Sequence, residues 1–98
     1  MNSKTETYIG FAIKKGSAVF GVDAIARYNK KVYLLLCTET LSHNSVKAMQ
    51  ASAQKIGCKL LTIPDYPILQ LRNCKAIAIC DKSLADAICN SSFGGNNG

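Results

Sequence analysis

The stretch KKGSAVFGVDAIARYNKK, residues 14–31, holds two glycines five positions apart, a lysine pair on each flank and a single acid, Asp23. Three chemistries use such a pattern: a phosphate loop, a grip on a nucleic-acid backbone, or a basic turn between helices. Gly16-x-x-x-x-Gly21 has the spacing of the first half of a phosphate loop, in which backbone N–H groups wrap phosphate ahead of a helix start. The second half is missing. Val22 and Asp23 stand where such a loop needs Lys and then Ser or Thr to reach phosphate and magnesium. An acid aimed at a phosphate repels it, so nucleotide binding is not expected.

The same residues suit an RNA backbone better. Gly21 admits close approach, the helix start behind it offers amides, and Arg27 follows one to two turns further on. Lys14, Lys15, Arg27, Lys30 and Lys31 set five basic side chains against Asp23. Lysines that only solvate helix ends and complement their dipoles are the plain alternative.

The remaining reactive residues point away from catalysis. The one histidine, His43, has no Cys or His near it in sequence, and the six acids fall mostly on capping positions. No Ser/His/Asp set, carboxylate pair or cofactor motif stands out, so neither an enzyme nor a cofactor is expected. Cys37, Cys58, Cys74, Cys80 and Cys89 make an odd count without C-x-x-C spacing, which reads as free, mostly buried thiols rather than metal ligands. Such thiols suit a reducing compartment, and the start MNSKTETYIG lacks a secretory pattern, so the expected location is the cytoplasm. No apolar run approaches the roughly 18 residues a membrane span needs.

The elements that must position these residues are legible from periodicity. With 98 residues and 48% apolar content, the chain has material for one core and a single domain. Ser3 and Glu6 have capping-box spacing, and Tyr8, Ile9, Ala12 and Ile13 recur helically until Lys14-Lys15-Gly16. SAVF reads as a short strand and VDAIARYNK as a helix with Ala24, Ile25 and Tyr28 inward. KVYLLLC is a strand covered on both faces. Ser42 or Asn44 then caps a helix through Val46, Met49, Ala53 and Ile56 that stops at Gly57, and CKLLTI is a second buried strand closed by Pro64. Pro67 opens a short helix, CKAIAIC is the last strand, and Asp81 caps a helix through Leu84, Ala87 and Ile88. The order predicts a three-layer α/β/α sandwich around a four-stranded sheet over residues 1–90, with 91–98 a flexible tail. Functional loops are expected at strand carboxyl ends, namely TETLSHN, Pro64-Asp65 and DKS after Cys80.

This order, with KKGSAVFGVDAIARYNKKVYLLLCTET, IGCKLLTI and AIAICDKSLADAI, resembles the ribosomal protein family named for archaeal L-seven-Ae and eukaryotic L-thirty, and within it the small bacterial YlxQ-type proteins. The resemblance spans Tyr8 to Ile88 and implies an α/β/α sandwich with a four-stranded mixed sheet that binds kink-turns or related irregular RNA. The family's G-x-N-E-x-x-K signature falls on Gly21 to Arg27: the glycine is kept, the final lysine becomes Arg27, and the N-E pair becomes Asp23-Ala24. An alanine cannot read a base edge by hydrogen bonding, whereas phosphate contacts do not need that pair. By the same resemblance Val22 belongs to the RNA-contacting loop, CTET brings Thr38 and Glu39 beside it, and in ILQLRNCKA Leu71 and Arg72 would cover a base and a phosphate.

Twelve Lys and Arg against six Asp and Glu leave a net charge of +6, which suits a polyanionic partner. The expected function is non-catalytic binding of structured RNA, ribosomal RNA or the ribosome among the candidates. No DNA specificity and no membrane are expected. The rival is a protein-interaction module on the same fold, with kink-turn reading lost. One outcome follows from the missing half of the phosphate loop: millimolar ATP or GTP with magnesium should leave the melting temperature unchanged, because a ligand held by the folded state would raise it.

Overall fold

The structure, a computed structural model, describes residues 4–94. In chain order it runs α1 (Lys4–Lys15), β1 (Ala18–Phe20), α2 (Val22–Arg27), β2 (Leu34–Thr38), α3 (His43–Ile56), β3 (Lys59–Ile63), α4 (Pro67–Leu71), β4 (Ala76–Ile79) and α5 (Lys82–Gly94). The sheet order is β1-β4-β2-β3. β4 is antiparallel to both of its neighbours, while β2 and β3 are parallel and joined through α3. This is the α/β sandwich that the element order predicts, with the mixed four-stranded sheet that the resemblance implies.

Side-chain alternation along the two central strands builds the layers. Leu34, Leu36, Ile77 and Ile79 join Ile9, Leu69 and Ile88 on the face of α1, α4 and α5. Leu35, Ala76 and Ala78 pack on the other face with Ile25 of α2 and Met49 of α3. All residues of β2 and β4 are buried, which is why their sequences read as unbroken apolar runs.

β3 differs from the expected second buried strand. It pairs with β2 alone, so it lies at the edge, with Lys59 and Thr62 exposed and only Ile63 buried. α2 is also shorter than VDAIARYNK suggests, because Tyr28 is already extended at the helix end and Asn29 to Val32 carry the chain to β2. Ile25 is its buried residue, and Ala24 and Tyr28 are half-buried.

Helix ends follow local chemistry. The Ser42 hydroxyl accepts the Ser45 amide, which decides between the two candidate caps of α3. Gly57 closes that helix at φ 82°, a left-handed conformation that glycine adopts without steric cost. Asp81 accepts the Leu84 amide at 3.0 Å and caps α5. The Ser3 half of the predicted capping box lies outside the described residues; Glu6 instead accepts the Ile68 amide of α4 at 3.4 Å.

α5 continues to Gly94, past the point where a flexible tail was expected. The reason is its docking on α1: the Ser91 and Thr5 hydroxyls are 2.6 Å apart, and Ser91 also donates to the Ile88 carbonyl at 3.0 Å. Thr5 is buried, so Ser91→Ala should leave a buried hydroxyl short of a partner and cost about 1 kcal/mol in urea unfolding, with an unchanged denaturant slope. No loss of stability would mean that the last turns of α5 are not docked.

Candidate nucleic-acid interface

The strand directions sort the loops into two ends. At one end β1 finishes with Phe20 opposite Ile77, the Gly21 amide donates to the Ala76 carbonyl at 3.0 Å, and the Thr38 amide donates to the Lys75 carbonyl at 2.9 Å. Glu39 is tied there as well, through the Ile63 carbonyl at 2.9 Å. The start of α2, the loop after β2, the end of β3 and the segment before β4 therefore meet at one end. At the other end Ala18 faces Ile79, the Tyr33 amide reaches the Ile79 carbonyl, and the Cys80 amide reaches the Ser17 carbonyl.

Gly21 sits at φ 95° and ψ 142°, so it is glycine for conformational reasons. The space where a Cβ would stand is open, with nothing within 4 Å. No side chain caps the helix behind it. Beside it runs a groove of about 590 Å³ between α2 and α3, with Val22, Asp23, Ala24 and Arg27 on one wall and Asn44, Ser45 and Ala48 on the other. Asp23 and Arg27 are one helical turn apart on the same wall, so an acid and a base share it.

A smaller recess of about 260 Å³ adjoins the groove, sharing Phe20 and Gly21 and adding Arg72, Asn73, Cys74 and Lys75. The Arg72 guanidinium lies 5.8 Å from the centre of the Phe20 ring, a cation–π contact that draws it toward Gly21. The turn behind Arg72 lacks the glycines of the resembling family, and Asn73 takes the left-handed position itself at φ 51°. Its amide bonds to the Gln70 carbonyl and the Cys74 amide to the Leu69 carbonyl, closing α4 in the way a glycine ordinarily does. Leu71 beside it is 88% exposed.

Of the predicted contact residues, Gly21, Val22, Asp23, Arg27, Leu71 and Arg72 lie at this end, and Glu39 is exposed there. Thr38 is not available: it is buried at 2% exposure, its hydroxyl lies 3.0 Å from that of Thr40, and Thr40 donates to Asp65. Its role is to brace the loop. Lys14, Lys15, Lys30 and Lys31 belong to the opposite end, because α1 descends to the start of β1 and the chain after α2 descends to the start of β2. The Tyr28 hydroxyl, hydrogen-bonded with the Cys80 side chain and pushed up in pKa by it, marks how far α2 has travelled. DKS after Cys80 also lies at that opposite end, since β4 is antiparallel to its neighbours. Phe20, Asn44, Ser45 and Lys75 complete the site; Asn44 falls in the expected loop TETLSHN and Lys75 in the stretch ILQLRNCKA, while Phe20 is hinted at only by its place next to Gly21.

All five cysteines are free thiols, with Cys37 and Cys74 buried. Burial pushes the Cys58, Cys74 and Cys89 thiols up, away from reactive thiolate. No helix of the described residues is long and apolar enough to cross a membrane.

No protein-family model matches the chain, and no curated protein matches it. Among solved structures it is similar to a protein with unknown function from Bacillus halodurans C, with a TM-score of 0.80 and 12% identity over 90% of this chain and 95% of that one. At that identity the likeness establishes the fold alone.

At the opposite end Lys15 forms an ion pair with Asp81. The Lys15 ammonium, with the Leu84 amide, holds the Asp81 carboxyl below the usual carboxylate range. A carboxyl depressed on folding contributes stability above its unfolded pKa of about 3.9 and loses it as pH falls through the folded value. Asp81→Asn should therefore flatten the acid limb of a stability-against-pH curve. An acid limb identical to that of the parent protein would refute this linkage.

Proposed function

We propose that the protein binds structured RNA without catalysis, through the end of the sheet that carries Gly21. The observation that supports this best is convergence: the positions matching the RNA-contacting stretches of the resembling family, Gly21, Asp23, Arg27 and Arg72, border one groove and its adjoining recess. Arg27, Arg72 and Lys75 supply phosphate partners, the open face of Gly21 admits a backbone, and the Phe20 ring offers an apolar floor beneath Arg72. Membership of the family of L-seven-Ae and L-thirty is part of this reading. With Ala24 on the groove wall in place of a hydrogen-bonding residue, binding holds the backbone and reads bases poorly.

A protein-interaction module is the second reading, with Leu71, the most exposed large apolar side chain among the described residues, as its contact residue. A stable protein complex that survives nuclease would select this reading over the first.

The test titrates a kink-turn RNA and a plain hairpin at one fixed salt concentration. Both should bind the native protein with similar affinity. Asp23→Asn with Ala24→Glu should raise the preference for the kink-turn, by roughly 5- to 150-fold for one good base contact of about 1–3 kcal/mol. Strong kink-turn selectivity in the native protein would sink the reading of Ala24, and no gain in the double variant would sink the assignment of this groove.

A further inference from the structure

The positive charge of this protein is not at the Gly21 end. All twelve basic and six acidic side chains lie within the described residues. The Gly21 end holds Lys4, Arg27, Lys47, Arg72 and Lys75 against Glu6, Asp23, Glu39 and Asp65, five against four. The opposite end holds the other seven bases, Lys14, Lys15, Lys30, Lys31, Lys55, Lys59 and Lys82, against Asp81 and Asp86. One net charge thus stands at the Gly21 end and five at the other.

Helix ends account for part of the basic end. Lys14 and Lys15 close α1 and Lys55 closes α3, where cations complement the helix dipole. Lys15 and Lys82 are also paired, with Asp81 and Asp86. Lys30 and Lys31 have no such explanation, since they lie on the link into β2.

Lys31 and Lys59 border a groove of about 630 Å³, walled by Val32 and Tyr33, by the Ile56-Gly57-Cys58 turn and by Asp86, Cys89 and Asn90 of α5. Lys30 precedes the groove and Lys55 flanks its second wall in sequence. The Tyr33 ring is 36% exposed, and the Lys31 ammonium stands 5.8 Å from its centre. The acid in the groove, Asp86, is held by Lys82 at 3.0 Å, and the Cys58 and Cys89 thiols are half-buried. An exposed aromatic ring with ammonium groups around it is the arrangement that stacks a base while neutralising its phosphates. Bases in a duplex stay within their stack and cannot lie on a ring set in a wall, whereas an unpaired strand can.

We propose that this groove binds a single-stranded segment of RNA, with Lys30 and Lys31 on phosphates and a base on Tyr33, so that the protein joins two RNA segments at opposite ends of its sheet. The proposal shares with the preceding section the premise that the partner is RNA, but uses none of the Gly21 groove.

Fluorescence anisotropy with labelled ten-nucleotide oligouridine tests it on the intact protein. Lys30→Glu with Lys31→Glu should weaken oligouridine binding at least tenfold. Lys30→Ala with Lys31→Ala should lower its salt slope by about 0.7 for each lost contact. Tyr33→Ala should weaken binding without changing the slope. Arg27→Ala with Arg72→Ala should leave oligouridine binding intact and weaken the hairpin only. Hairpin immobilised on beads should then retain labelled oligouridine only when protein is present. No oligouridine binding by the native protein, or full binding by the Lys30→Glu, Lys31→Glu variant, would overturn the groove. Competition between oligouridine and hairpin for one site would overturn the joining of two segments. Loss of hairpin binding alone would count against the Gly21 interface and leave this proposal standing.

Discussion

Strand β4 lies between β1 and β2 and runs opposite to both, and this pairing dictates where every loop of the protein ends up. Leu34–Thr38 and Ala76–Ile79 are buried throughout, so their backbone groups have no water to bond and are held in register by the ladder. Once the register is set, alternation divides the side chains. Ile77 and Ile79 go to the face of α1, α4 and α5, and Ala76 and Ala78 to the face of α2 and α3. The small pair leaves room for the short helix α2 to pack against the sheet, and α2 carries the open glycine and the groove beside it.

The strand directions split the chemistry. Lys14-Lys15, Lys30-Lys31 and Lys59 stand at the starts of β1, β2 and β3, which run in one direction, so they lie opposite Gly21, and the antiparallel β4 brings Arg72 and Lys75 to the Gly21 end and Asp81 and Lys82 to the other. Here the carboxyl ends of β1, β2 and β3 meet the amino end of β4, while the loop after β4 lies with the turn from α1 and the link from α2. Residues close together in the sequence, Arg27 and Lys31, are drawn to different grooves. The result is a molecule with a shaped, nearly neutral end and a strongly basic one. A shaped, nearly neutral end favours recognition by close fit, and a strongly basic one favours long-range, salt-sensitive attraction of anions.

Several local devices keep the Gly21 end in shape without glycines where a loop of this kind often has them. Asn73 takes the left-handed position after α4, and the Phe20 ring holds Arg72 over the recess. Buried Thr38 ties the loop after β2 through Thr40 to Asp65. Each replaces backbone freedom with a specific side-chain contact, which narrows the loops' motion.

The order and type of the elements were legible in the sequence, because each rests on short-range rules. Apolar spacing marked α1, α3 and α5, and unbroken apolar runs marked β2 and β4. Glycine or proline marked the ends at Gly57 and Pro64, and the two phosphate-loop glycines were legible as an incomplete motif. What the sequence could not determine depends on pairing between distant strands. The edge position of β3, the burial of Thr38, the extension of α5 by the contact of Ser91 with Thr5, and the placing of Arg72 against Phe20 all follow from long-range contacts. A side chain's type and spacing decide which element it joins, but only the direction of the neighbouring strand decides which end of the molecule it reaches.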